Sequence, residues 1–287
     1  MRILITGANG MLGSVLSKKL KGHEVFAYSR AELDITNRVE IKHTLKDIDP
    51  QVIIHAAAYT NVEQSEVDPD KAYLVNVIGT QNLVDACVGN NVLFVYISST
   101  GIYGTKKVNS PYNEFDEALP TTIHHKSKLE AEKVVINHLN KFLIIRTGWL
   151  FGGSIQKEKN FVFKRYLEAS SKKKIYSDPN QIGNPTYVED LVDQINLLID
   201  KQHYGIFNCV NNAVNVTRLD YVQKIISLFE LDCQVEAAPK GIFKRVAPVS
   251  SNESAENKKL DFLGVNIMGD WQESLQRYVK LVRSKEV

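Results

Sequence analysis

The chain has 287 residues, of which 44% are hydrophobic and 24% charged, and a formal net charge of +2. This is the balance of a globular protein with a large core in one or two domains, and it excludes a polyanion-binding surface built on bulk charge. Three cysteines at wide spacings, Cys87, Cys209 and Cys233, make neither a disulfide framework nor a metal motif and fit a reducing compartment.

In chain order, "RILIT" (2–6) is the first strand. It starts so early that it leaves no room for a signal peptide. It runs into "TGANGMLGSVL", with Gly7, Gly10 and Gly13 spaced G-x-x-G-x-x-G. Glycines here let the backbone turn tightly and approach a pyrophosphate, which then sits on the N-terminus of the next helix. A preceding strand and a following helix are the context that the pattern requires. The second strand, "EVFAY" (24–28), leads into Ser29 and Arg30, with no acid before Glu32 and Asp34. An acid at this place bonds the adenosine ribose of a dinucleotide, whereas a base accepts a 2′-phosphate. Arg30 therefore favours NADP(H) over NAD(H), its alternative being a plain surface arginine.

"QVIIHAA" (51–57), "VLFVYIS" (92–98) and "FLIIRT" (142–147) are further strands by length and branching. Between the first two, residues 69–88 carry a helical stripe of Ala72, Val75, Val77, Leu83, Val84 and Val88. "PTTIHHKSKLEAEK" (120–133) opens another helix, with His124 four residues before Lys128. Beyond residue 150 come the loops "FGGS" and "SDPNQIGNP", the solvated run Lys172 to Lys174 without interleaved aromatics, and a strand "YGIFNCV" (204–210). No apolar run reaches the roughly 18 residues of a bilayer span. Strands apolar on both faces and separated by helices predict an α/β fold. The expectation is a Rossmann-type doubly wound parallel sheet with a smaller C-terminal α/β lobe that binds substrate. Residues 1–150 would form the dinucleotide domain, with later segments returning to it, and 151–287 mainly the second lobe. The protein is expected to be cytoplasmic, with no metal, no nucleic acid and no membrane partner.

"GANGMLG", "LDIT" (33–36), "HAAAYTNVEQSE" (55–66), "RTGWLFG" (146–152) and "NPTYVEDL" (184–191) form a set. With it the chain resembles the extended short-chain dehydrogenase/reductases, and among them the dTDP-4-dehydrorhamnose reductase family, over most of its length. The resemblance implies reduction of a C4 keto group on a deoxy-sugar carried by a nucleoside diphosphate, in nucleotide-sugar and cell-surface polysaccharide biosynthesis. It implies a sugar-nucleotide substrate and, as in some members, a homodimer. Asn9, Met11 and Leu12 would join the three glycines around the cofactor, with Arg30, Asp34 and Ile35 beyond them. Ala56, Ala57, Ala58 and Tyr59 would line its ribose and nicotinamide side, and Asn76 would support the site. Ser99 falls on the hydroxyl that polarises the substrate carbonyl, and Lys128 on the lysine that holds the nicotinamide ribose. Thr100, Trp149, Asn184, Pro185 and Thr186 would shape the substrate site; Trp149 reads equally as core, and Thr186 as a helix cap.

Three departures stand out. Thr100-Gly101 replaces the family's Asp-Tyr pair and is closer to nucleotide-sugar epimerases. "FKRVAPVSSN" (243–252) breaks an Arg-Pro pair to Ala247-Pro248, with Lys244 and Arg245 upstream as candidates for a diphosphate. His124 stands where the family has its catalytic tyrosine. Residues four apart share a helix face, so His124 and Lys128 keep the tyrosine–lysine spacing. The chemistry changes, because imidazolium has a pKa of about 6.5 against about 10 for phenol and a neighbouring cation lowers it further. Neutral imidazole serves as a base or as an orienting donor, with water supplying the proton. Tyr103 and Lys107 also stand four apart, but in a polar loop, and that match reads as chance. Tyr112 lies in the following loop, and His125 reads as a helix-surface residue. Three outcomes stay open: a reductase using His124, a nucleotide-binding regulatory protein without turnover, and an epimerase or dehydratase on the same scaffold.

Overall fold

The computed structural model describes residues 1–20, 22–108, 110–155 and 160–284. Its strands are β1 (Arg2–Thr6), β2 (Glu24–Tyr28), β3 (Val52–His55), β4 (Leu93–Ser99), β5 (Phe142–Thr147), β6 (Trp149–Phe151), β7 (Lys174–Ser177), β8 (Pro185–Tyr187), β9 (Gly205–Asn208) and β10 (Gln234–Ala237). Six of them form one parallel sheet in the order β2-β1-β3-β4-β5-β9. Alternate residues of one strand serve opposite faces. Ile3 and Ile5 enter a cluster with Leu191, Ile195 and Tyr278, while Leu4 packs with Ile41, Leu83, Val84 and Val135. Burial on both faces is why these strands read as unbroken apolar runs.

The helices are α1 (Met11–Lys19), α2 (Arg38–Ile48), α3 (Val62–Val67), α4 (Pro69–Tyr73), α5 (Gly79–Cys87), α6 (Ile123–His138), α7 (Phe161–Ser171), α8 (Val188–Asp200), α9 (Arg218–Phe229), α10 (Lys258–Phe262) and α11 (Trp271–Arg283). Asn37, Asn61, Thr122, Asn160 and Thr217 cap their helices through side-chain oxygens that accept first-turn N–H groups. Between α4 and α5 the chain makes one π turn, Leu74–Ile78. The predicted stripe over 69–88 is thus one rod with a bulge, and it ends early: the helix stops at Cys87 and Val88 is exposed. None of the described helices is long and apolar enough to cross a membrane.

After residue 150 the chain builds two small parallel pairs, β6–β8 and β7–β10. It also returns to the main body, since β9 joins the edge of the large sheet and α8 packs beside α1. The ends of β1, β3, β4 and β5 all open toward the same side, where the second group of segments faces them across a cavity.

Candidate active site

The cavity has a volume of about 860 Å³ and follows the C-terminal ends of the parallel strands. Gly7, Asn9, Gly10, Met11, Leu12 and Gly13 form its first wall. Gly7 has φ +75°, and a Cβ on it would lie 2.7 Å from the Ala57 nitrogen. A Cβ on Gly13 would lie 2.2 Å from the Gly7 oxygen. The loop closes only without these side chains. Gly10 is the N-cap of α1, and no side chain caps that helix. Its first N–H groups are left for an anion at the cavity wall.

Arg30 reaches the rim with a largely exposed side chain, its Nε 3.5 Å from Asp34. Glu32 instead folds back, accepting the Ser29 N–H at 2.8 Å, and Asp34 accepts the Thr36 N–H and hydroxyl. The nearby acids are thus engaged by their own loop, and the guanidinium faces the opening. Asp34, Ile35, Ala56, Ala57, Ala58 and Tyr59 line the cavity beyond the glycine loop.

The reactive end is assembled from three elements. Asn76, turned inward by the π bulge, accepts the Tyr59 N–H at 2.8 Å and donates to the Tyr59 carbonyl and the Ser127 hydroxyl. It is buried and supports the wall without lining it. His124 lies with Nδ1 3.0 Å from the Tyr59 oxygen. A carbonyl only accepts, so the Nδ1 position carries a proton and exchange with a ligand runs through Nε2. Lys128 is buried one turn on, its ammonium 4.1 Å above the Tyr96 ring. Burial pulls its pKa down to about 7, and Glu132 acts in the opposite sense. Ser99 Oγ accepts the Gly101 N–H at 3.2 Å, which leaves its own proton to donate.

Beneath this wall runs a chain of hydrogen bonds whose direction is determined. Thr80 donates to the Asn76 carbonyl, so its oxygen accepts from His55 Nε2. His55 Nδ1 then accepts from Thr6, whose oxygen takes the Ala57 N–H. Burial first, and Lys128 second, lower the His55 pKa to about 3, which keeps this link neutral.

Several expectations change. His125 is not on the helix surface: it is buried, lines the cavity and lies against Gly101. Asn184, Pro185 and Thr186 stand behind the wall rather than in it. The Asn184 side chain is consumed by the Asn211 and Ala255 backbone, and Thr186 donates to the Asn184 carbonyl instead of capping α8, whose N-cap is Tyr187. Tyr103 and Tyr112 are buried and stacked on each other. The Tyr103 hydroxyl donates to Asn208 and accepts from Arg146, so neither serves the cavity.

Trp149 is both buried and cavity-lining. Its N–H donates to Glu253 at 2.8 Å, and the Arg218 guanidinium stacks 3.4 Å from its ring. Arg218, Glu253, Phe161, Arg165, Tyr176 and Gln181 complete this wall, and none was anticipated. They come from α7, from the stretch 176–181, from α9 and from the chain near residue 253, and no single motif joins these segments. Burial lowers the Arg218 pKa to about 10. Phe243 and Arg245 also line the cavity, whereas Lys244 does not. The Glu63 carboxylate accepts the Val246 and Ala247 N–H groups at 2.7 and 3.1 Å, tying the two walls together. Thr100, beside Ser99, lines the reactive end. No cluster suited to a metal ion occurs among the described residues.

A parallel sheet with a glycine cradle on its first crossover, and Ser99 at the end of β4 on the same cavity as His124 and Lys128 of α6, fit an oxidoreductase of the extended short-chain dehydrogenase/reductase class. The chain belongs to the family described as RmlD substrate binding domain, which it matches over residues 1–284. It is 30% identical over 285 residues to a dTDP-4-dehydrorhamnose reductase of Mycolicibacterium smegmatis, covering 98% of this chain and 86% of that one. The crystal structure of a dTDP-4-dehydrorhamnose reductase from Clostridium acetobutylicum superposes with a TM-score of 0.93 at 33% identity, covering 99% and 100% of the two chains. A Bacillus anthracis dTDP-4-dehydrorhamnose reductase solved in complex with NADP gives 0.91 at 32%, covering 96% and 98%.

Proposed function

We propose that this protein is a sugar-nucleotide reductase that reduces the 4-keto group of a dTDP-linked deoxy-sugar, with NADPH preferred over NADH. The observation that carries the reading is that Ser99, His124 and Lys128 line the same cavity as a glycine cradle with no room for a Cβ at Gly7 and Gly13. That cradle fits a dinucleotide, because Gly7 and Gly13 have no room for a Cβ and the first N–H groups of α1 have no side-chain cap. Gly7, Gly10 and Gly13 would hold the pyrophosphate, Arg30 a 2′-phosphate and Lys128 the nicotinamide ribose. When bound, the nicotinamide supplies the hydride to the carbonyl carbon.

The chain's own residues handle the oxygen. The Ser99 hydroxyl donates to it and polarises the carbonyl. His124 moves the proton through Nε2 while Nδ1 stays on the Tyr59 carbonyl. Reduction uses the imidazolium, which gives up its Nε2 proton as the alkoxide forms; oxidation uses the neutral ring as base. Reduction therefore fades as pH rises through the His124 ionisation, and oxidation improves. The Arg165, Arg218 and Arg245 cations at the far wall suit a diphosphate.

The test is NADPH consumption with dTDP-4-dehydrorhamnose. Wild type turns over, and His124→Ala loses on the order of 10²–10⁴-fold in kcat, the scale of a missing general acid. His124→Tyr retains or raises activity. Absence of wild-type turnover with cofactor binding intact makes the protein a nucleotide-binding module instead. Full activity of His124→Ala places the proton donor elsewhere.

A further inference from the structure

The His125 ring touches both halves of the reactive end. A Cβ on Gly101 would lie 2.2 Å from His125 Cε1 and 2.3 Å from Nε2, so the imidazole fills the space that a side chain at 101 would take. Gly101 in turn donates its N–H to the Ser99 hydroxyl oxygen. The ring also meets His124 edge-on, with centroids 5.0 Å apart and planes at 62°. Thr122, the N-cap of α6, holds it: the Thr122 oxygen lies 3.0 Å from His125 Nδ1 and accepts the His125 backbone N–H. The ring is therefore a fixed part between the strand exit that carries Ser99 and the helix that carries His124.

We propose that His125 is a positioning residue, its imidazole a wedge that sets the gap between the Ser99 hydroxyl and the His124 ring, which one substrate oxygen must bridge. The inference rests on the reductase reading above. Protein interiors are close-packed and do not deform continuously, so a ring held by Gly101, His124 and Thr122 together transmits position. The ring also stays neutral, because burial, with Lys128 adding to it, lowers its pKa to about 4. It thus spaces the site without adding a charge of its own beside His124 and Lys128. Spacing asks for a flat ring of this size and not for ring nitrogens, and that separates it from a role in proton transfer.

Three variants test it against wild type. His125→Ala lowers kcat on the order of 10- to 100-fold, the scale of a misplacement of up to 1 Å, with NADPH affinity unchanged. His125→Phe keeps kcat within about threefold of wild type, far less than that misplacement costs. Gly101→Ala expels the ring and loses at least as much as His125→Ala, and combining the two adds no further loss, as for residues acting through one contact. A readout without turnover runs in parallel. The His124 Nδ1 proton, bonded to the Tyr59 carbonyl, gives an exchange-protected downfield resonance that His125→Phe keeps and His125→Ala loses. If wild type turns over no sugar nucleotide, the reductase reading fails and this resonance alone decides the wedge. The proposal is overturned if His125→Ala keeps both kcat and the resonance, or if a folded, NADPH-binding His125→Phe loses kcat as His125→Ala does.

Discussion

The two ends of the cavity are built by opposite means. The cofactor end is backbone: glycines at 7 and 13 whose missing side chains let the crossover close, with apolar strands beneath. The substrate end is side chain: Trp149 held between the Glu253 carboxylate and the Arg218 guanidinium, with contributions from Phe161, Tyr176 and Phe243. A backbone cradle tolerates little change, because a Cβ at Gly7 or Gly13 meets main-chain atoms. A side-chain wall can be rebuilt residue by residue to suit a different sugar. The reactive residues lie at the seam, supported from below by Asn76, His55 and Glu132.

The seam offers the largest effect. Glu132 and Arg146 are both buried and paired at 2.7 Å. Glu132→Ala leaves the guanidinium uncompensated and costs about 3–5 kcal/mol, read from chemical denaturation. A result below 1 kcal/mol would mean that Arg146 finds water.

Acid is the next lever, with each pKa unit worth about 1.4 kcal/mol. His55 and His125 ionise near 3 and 4 in the folded chain, below their ordinary 6.5, because burial opposes the charge. Between those values and 6.5 the unfolded chain binds protons that the folded chain refuses. Stability is therefore present above pH 6.5 and is lost as pH falls below it. A denaturation midpoint measured against pH shows the slope, and His55→Gln flattens it.

The cofactor end itself is sharpened by two substitutions of decreasing reach. Gly13→Ala sets a Cβ against the Gly7 carbonyl and costs about 1–3 kcal/mol by overpacking, together with NADPH binding. Arg30→Ala leaves stability alone and weakens NADPH by about 1–3 kcal/mol, the value of a charged hydrogen bond, with NADH hardly moved. Calorimetry with both cofactors reads the difference, and equal losses would assign Arg30 a structural role.

The smallest effect concerns the tie between the walls. Glu63→Ala removes the acceptor of the Val246 and Ala247 N–H groups. It raises KM for the sugar nucleotide by roughly 2- to 10-fold at unchanged kcat, as expected from about 0.5–1.5 kcal/mol for a hydrogen bond. A fall in kcat instead would show that the tie also shapes the reactive end.

Legibility in the sequence follows the same division. The glycine loop, the strands and the His124–Lys128 spacing could be read directly, because each depends on residues adjacent in the chain or one helical turn apart. His125 was misread as a surface residue, since helix periodicity does not reveal that Gly101 opens a space for its ring. The motif points Asn184, Pro185 and Thr186 at the site, whereas in the structure the Asn184 side chain bonds the Asn211 and Ala255 backbone and Thr186 donates to the Asn184 carbonyl. Arg218 and Glu253 carried no signal, because nothing in their neighbourhoods shows that they flank Trp149.

The amino-acid sequence by itself determined the parallel sheet and the tight glycine turn after its first strand. Those rest on local rules: apolar runs that suit a sheet buried on both faces, and glycines where a Cβ cannot fit. Tertiary structure alone decided that a π bulge turns Asn76 onto Tyr59, that the Tyr59 carbonyl puts a proton on His124 Nδ1, and that Trp149 stands between a half-buried cation and a buried carboxylate. Each is a contact between residues at least 17 positions apart in the chain, made only once the sheet has brought its strand ends together.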